Sequence, residues 1–120
     1  MRRILFPLIA LGLLVGLAGC STAEADSVKV GPDAVVLDVR TPQEFAAGHL
    51  DGAELLDFNS GDFAAAIPNL DPGDEYFVYC RSGNRSGQAV AMLEAAGFDN
   101  VTDLGALESA ASATGISIVN

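Results

Sequence analysis

An apolar run that ends in a cysteine and breaks at once into a polar turn is the feature that most constrains this chain. Glu75-Tyr-Phe-Val-Tyr79 is β-branched and aromatic and reads as a buried strand. Ser86 to Ala96 carries Ala89, Val90, Met92, Leu93 and Ala96 at helical spacing and stops at Gly97. Between them, Cys80-Arg81-Ser82-Gly83-Asn84-Arg85 has to turn the chain, and Gly83 and Asn84 are the residues best able to take positive φ. Such a strand-to-helix turn can aim successive backbone N–H groups inward, a setting that favours negative charge. With Arg81 and Arg85 nearby, the Cys80 thiol is expected to titrate below about 8.5 and to populate the nucleophilic thiolate. The plainer alternative is a core cysteine that ends a strand, but two arginines and a glycine turn have no packing rationale there.

The remaining pattern alternates strands with short helices. Ala34 to Val39 is apolar except for Asp38 and suits a buried parallel strand with a carboxylate at its C-terminal end, where ligands of open α/β sheets bind. Thr41-Pro42-Gln43-Glu44 supplies a cap, a proline at the first helical position and a Glu three residues after the cap. Arg40 and Glu44 are spaced to pair and brace that helix start. Further strands are expected over Ala53–Phe58, Val101–Leu104 and Gly115–Val119, and further helices over Ser60–Ile67 and Ala106–Ala113. The predicted architecture is α/β: a central parallel five-stranded sheet flanked by short helices on both faces.

Cys80-Arg81-Ser82-Gly83-Asn84-Arg85-Ser86 resembles the active-site loop of single-domain rhodaneses, sulfurtransferases that carry a persulfide on that cysteine. Leu37-Asp38-Val39-Arg40-Thr41-Pro42-Gln43-Glu44-Phe45, followed by Gly48-His49-Leu50-Asp51-Gly52-Ala53, resembles the N-terminal signature of the same family. Where that family usually has Gly-Gly and a later tryptophan, this chain has Gly105-Ala106-Leu107 and no Trp. The resemblance implies a rhodanese-like fold, Cys80 as nucleophile, and Arg81, Ser82, Gly83, Asn84 and Arg85 as the substrate-binding loop. It implies supporting roles for Asp38, Arg40, Glu44 and His49. His49, the lone histidine, has no second His or Cys partner with which to form a metal site; the family pattern places it in a structural turn rather than in proton transfer. No cofactor or metal is implied.

The N-terminus is organised differently. Met1-Arg2-Arg3 is basic, and Ile4 to Gly19 is an uncharged run of sixteen residues, short of the roughly 20 that span a bilayer. Leu17-Ala18-Gly19-Cys20 resembles the lipobox of bacterial lipoproteins. The expected layout is a signal peptide over 1–19, a tether over 20–29 that begins at a lipidated Cys20, and the domain over 30–120, held at the cell envelope on the extracytoplasmic side. An uncleaved signal anchor is the alternative. With Cys20 lipidated, Cys80 is the only free thiol, and an unpaired thiol outside the cytoplasm favours use over accident.

The whole chain has 6 basic and 16 acidic residues, and beyond residue 19 only Lys29, Arg40, Arg81 and Arg85 are basic, a net charge of −12. That acidity argues against nucleic acid, and leaves the membrane contact to the Cys20 lipid. The expected partners are a small anionic sulfur donor, of the thiosulfate or polysulfide class, and a thiol or cyanide acceptor. Three other readings compete. Phosphatase loops of the dual-specificity kind place five residues between Cys and Arg, whereas four stand between Cys80 and Arg85. A thiol redox sensor would need an intermolecular partner, and an envelope-tethered binding module would use the loop without its sulfur.

Overall fold

A computed structural model describes residues 27–120; the segment expected to be a signal peptide and Cys20, where lipidation is expected, lie outside the described residues. The apolar runs form parallel strands β1 (Val35–Asp38), β3 (Glu54–Leu55), β4 (Tyr76–Cys80) and β5 (Val101–Ala106), in the order β3-β1-β4-β5. A two-residue strand, β2 (His49–Leu50), pairs antiparallel with β6 (Ile118–Val119) in a separate small sheet. Helices α1 (Pro42–Ala47), α2 (Asp62–Ala66), α3 (Asn84–Ala95) and α4 (Leu107–Thr114) connect the strands, with one 3-10 turn over Ile67–Asn69 after α2.

The period-2 alternation of β4 sorts the core into two halves. Tyr76, Val78 and Cys80 project to one face and pack with Phe63 of α2, Ala89 and Leu93 of α3, and Phe98. Phe77 and Tyr79 project to the other face and pack with Leu50, Leu104, and Leu107 and Ala110 of α4. All five β4 residues are buried, as befits a central strand covered on both faces. Adjacent residues of one strand thus serve opposite faces: Cys80 lies under α3, and Tyr79 lies under β2.

The parallel sheet with flanking helices follows the expectation, but its strand number does not. Among the described residues it has four strands, because the C-terminal segment that should have been the fifth pairs with β2 instead. The reason is packing: Ile116 is drawn into the core around Leu50 and Tyr79, which holds the segment across that face and away from the sheet edge. Contacts with the domain reach back to residue 28. The Val28 N–H donates to the Ala113 carbonyl at 2.8 Å, and Val28 and Val30 pack on the α4 side.

Among the described residues no helix is long and apolar enough to cross a membrane. One irregularity matters for the site. Between Val78 and Tyr79 the register of β5 slips by one residue, so that Tyr79 faces Gly105 and Cys80 faces Ala106. Gly105 takes φ +76, a conformation suited to glycine. The bulge brings Gly105 beside the Cys80 loop, where a Cβ on Gly83 would stand 3.7 Å from the Gly105 Cα.

Candidate active site

The loop after β4 wraps around the sulfur. Gly83 has φ +93 and is the N-cap of α3, whereas Asn84, the other candidate for positive φ, is already helical. This turn brings the Gly83 N–H to 2.9 Å from the Cys80 Sγ, to which it donates. The Ser86 hydroxyl lies 3.5 Å from the same sulfur and donates to the Gly83 carbonyl at 3.1 Å, closing the turn. Cys80 has no exposed surface. Burial by itself would push its thiol up; hydrogen bonding with Ser86, through side chain and backbone, and with the Gly83 and Ser82 N–H groups outweighs it, so the net shift is downward. The loop thus favours the thiolate more than a free cysteine does.

The supporting residues pair differently from the expectation. Arg40 does not bridge to Glu44. Its Nε and backbone N–H each donate to Asp38 Oδ1 at 2.9 Å, its NH2 donates to Asp38 Oδ2 at 2.6 Å, and the same NH2 donates to the Gly48 carbonyl at 2.6 Å. The pair is buried: the Asp38 side chain is fully enclosed and that of Arg40 is 5% exposed. Asp38 therefore stands at the strand end as anticipated but is turned inward, committed to Arg40 and to the Tyr79 hydroxyl, which donates to Oδ2 at 2.7 Å. Tyr79 in turn accepts from the Leu50 N–H at 3.0 Å. Burial, against the opposing Leu50 hydrogen bond and with the Asp38 carboxylate, drives the Tyr79 phenol far up, so it stays a donor. This network ties β1, β2 and the residue preceding Cys80 into one unit.

Glu44 performs two tasks. It completes the capping box of α1, where the Thr41 Oγ1 accepts from the Glu44 N–H and the Glu44 carboxylate accepts from Thr41. It also receives Arg85 in a bidentate pair, NH1 to Oε1 at 2.8 Å and NH2 to Oε2 at 3.0 Å. The start of α1 is thereby tied to the start of α3. The Arg85 hydrogen bonds, against burial and with help from Thr41, lower the Glu44 carboxyl to about 2 from 4.5.

A folded-state value below the unfolded one gives stability that is fully present above pH 4.5 and is lost as pH falls through about 2. The Glu44 side chain is a fifth exposed, so solvent screening reduces the effect. Glu44→Gln is expected to lower unfolding stability by about 1 kcal/mol at pH 7 in urea titrations. The gap from the parent should shrink as pH drops from 4.5 toward 2; a gap that does not change with pH would contradict the assignment.

His49 sits in β2 rather than in a loop, with its ring stacked on Phe45 at 3.7 Å between centroids and its Nδ1–H donating to the Phe45 carbonyl at 2.9 Å. It orders the α1–β2 junction. Ser82 and Asn84 are exposed, and the Asn84 side chain accepts from Gln88 at 2.7 Å, away from the sulfur. Two residues that sequence reasoning gave no role, Ser86 and Tyr79, are in direct contact with Cys80 or with the network behind it. A pocket of about 360 Å³ adjoins the loop, lined by Arg81, Arg40, Gln43, Glu44, Leu107 and Glu108. Cys80 lies beneath the loop beside this pocket and is not part of its surface.

A parallel α/β domain whose strand-end cysteine is cradled by N–H groups at a helix N-terminus is of the class built for thiolate chemistry. More particularly, the chain belongs to the rhodanese-like domain family, which it matches over residues 21–109. It is 48% identical over 69 residues to a thiosulfate sulfurtransferase GlpE of Pseudomonas entomophila, covering 57% of this chain and 61% of that one. It is 34% identical over 77 residues to the thiosulfate sulfurtransferase PspE of Escherichia coli, covering 62% of this chain and 72% of the other. The chain thus spans about three fifths of the GlpE relatives it matches. Among solved structures, an E. coli rhodanese with anions superposes with a TM-score of 0.59 at 29% identity, covering 72% of this chain and 98% of that one. A rhodanese-like domain from Anabaena superposes with a TM-score of 0.62 at 28% identity, covering 72% and 99%.

Proposed function

We propose that this protein is a sulfurtransferase that moves sulfane sulfur through a persulfide on Cys80. The observation that carries the reading is the hydrogen bond from the Gly83 N–H to the Cys80 sulfur at the N-terminus of α3. The names of the GlpE and PspE relatives supply the donor class: with thiosulfate, the Cys80 thiolate attacks the outer sulfur, the donor S–S bond breaks, and sulfite leaves with the bonding pair. The product is a Cys80 persulfide anion. Attack on its terminal sulfur by cyanide releases thiocyanate and returns the thiolate; a thiol acceptor takes the same sulfur as its own persulfide. The N–H groups of residues 82, 83 and 86 face the negative charge in both half-reactions, as an oxyanion hole does for oxygen. Arg81, exposed and without an ion pair among the described residues, is the cation available to the incoming anion. Arg85 acts on the loop through its pair with Glu44.

The test is the mass of Cys80 after exposure to thiosulfate, which should rise by one sulfur and return on adding cyanide; a Cys80 that reacts with alkylating agents but gains no sulfur from thiosulfate or from any other sulfane-sulfur donor would sink the proposal. We further propose that the chain is tethered at the envelope through a lipid on Cys20, a reading supported by the sequence pattern around that residue. In membrane fractionation, Cys20→Ala should then partition less into the membrane than the parent, and equal partitioning would contradict the tether.

A further inference from the structure

From the charges around the pocket that adjoins the Cys80 loop, we infer that Glu108 sets how this site discriminates among sulfur donors by charge, disfavouring the thiosulfate dianion relative to monoanionic organic donors such as thiosulfonates. The inference rests on the sulfurtransferase reading. Four of the residues that line the pocket are charged, and two of them are already neutralised: Arg40 by Asp38 and Glu44 by Arg85. Arg81 and Glu108 have no ion pair among the described residues. An incoming donor therefore meets one cation and one anion, not the two free arginines that the loop sequence suggests. A dianion is attracted to Arg81 and repelled by Glu108 with doubled charge in each case, and the net charge of −10 on the chain adds to the repulsion.

The rest of the wall is Gln43 and two apolar side chains. Leu107 and Ala47 line the pocket, whose volume of about 360 Å³ falls within the roughly 300–1,000 Å³ of small-molecule sites. A second hollow of about 310 Å³ shares Ala47, Leu107 and Glu108 with it and runs on to Ile118, which is 45% exposed. An inorganic dianion has nothing to place against the apolar pair Leu107 and Ala47. A thiosulfonate, R–SO2–S⁻, can set its terminal sulfur toward Arg81 and its R group along Leu107 and Ala47. The chemistry balances as for thiosulfate: the Cys80 thiolate takes the terminal sulfur, the S–S bond breaks, and a sulfinate, RSO2⁻, leaves with the electron pair.

Glu108 is exposed in the first turn of α4 and packs in no core, so Glu108→Gln tests the charge without disturbing the fold. The full chain is assayed at low ionic strength with thiosulfate, methanethiosulfonate and benzenethiosulfonate, and loading of Cys80 is followed by intact mass. Because Coulomb energy scales with the charge of the donor, the substitution is expected to raise kcat/KM about threefold for the two monoanions and about ninefold, the square, for thiosulfate. The parent should also show a KM for benzenethiosulfonate about fivefold below that for methanethiosulfonate, since only the phenyl group reaches Leu107. Equal responses of all three donors to Glu108→Gln, or equal KM values for the two thiosulfonates, would overturn the inference and leave the persulfide reading standing. Failure of every donor to add sulfur to Cys80 would overturn both.

Discussion

Replacing Cys80 by serine is expected to abolish sulfur transfer, with a loss of at least about 10³-fold in turnover, while the domain stays folded. The two side chains differ by one atom, and the serine hydroxyl can accept from the Gly83 N–H and exchange hydrogen bonds with Ser86 much as the sulfur does. What it cannot do is ionise: the downward shift that Ser86, Gly83 and Ser82 impose on the Cys80 thiol starts from a group already near neutrality, whereas an alcohol lies far above it. Nor does an oxygen there form an S–S bond. Steady-state assays paired with thermal unfolding check this. Residual activity above a hundredth of the parent would move the nucleophile elsewhere, and a collapsed unfolding transition would make Cys80 chiefly a core residue.

The largest effect on stability is expected from Asp38→Asn. Asp38 accepts five hydrogen bonds, four from Arg40 and one from the Tyr79 hydroxyl, in a fully enclosed position. A buried ion pair is not in itself strongly stabilising, since both charges lose their hydration; removing one partner leaves the other charge buried and uncompensated, at a cost of about 3–5 kcal/mol. The amide also points a donor NH2 at groups that only donate. Urea unfolding should show a loss in that range, and because Tyr79 is anchored to Asp38 directly before Cys80, sulfur transfer should fall together with it. A loss below about 1 kcal/mol would mean that Arg40 finds water or another acceptor.

Much of this site is legible in the sequence because its parts are local. The apolar alternation of Tyr76–Cys80, the glycine at the turn and the helical spacing beyond it are each contained within a dozen residues, and the structure follows them from β4 through Gly83 into α3. The capping box at Thr41 and Glu44 is likewise local and is present. What could not be read is who pairs with whom. Local spacing offers Arg40 to Glu44; folding gives Arg40 the carboxylate at the end of the preceding strand β1 and brings Arg85 to Glu44 from 41 residues away. Ser86 looks like an ordinary first-turn residue until the loop closes beneath it. Strands of two residues, β2, β3 and β6, carry no periodicity, so the pairing of β6 with β2 and the resulting four-stranded sheet were outside the reach of pattern.

The persulfide cycle requires sulfur to become covalently attached to Cys80. Intact mass of the full chain, after incubation with thiosulfate and then with cyanide, measures this directly. A gain of about 32 Da that maps to Cys80, disappears with cyanide and is missing from Cys80→Ser is the predicted result. A sulfur that never attaches, from thiosulfate or from a thiosulfonate, with Cys80 otherwise open to alkylation, would contradict it.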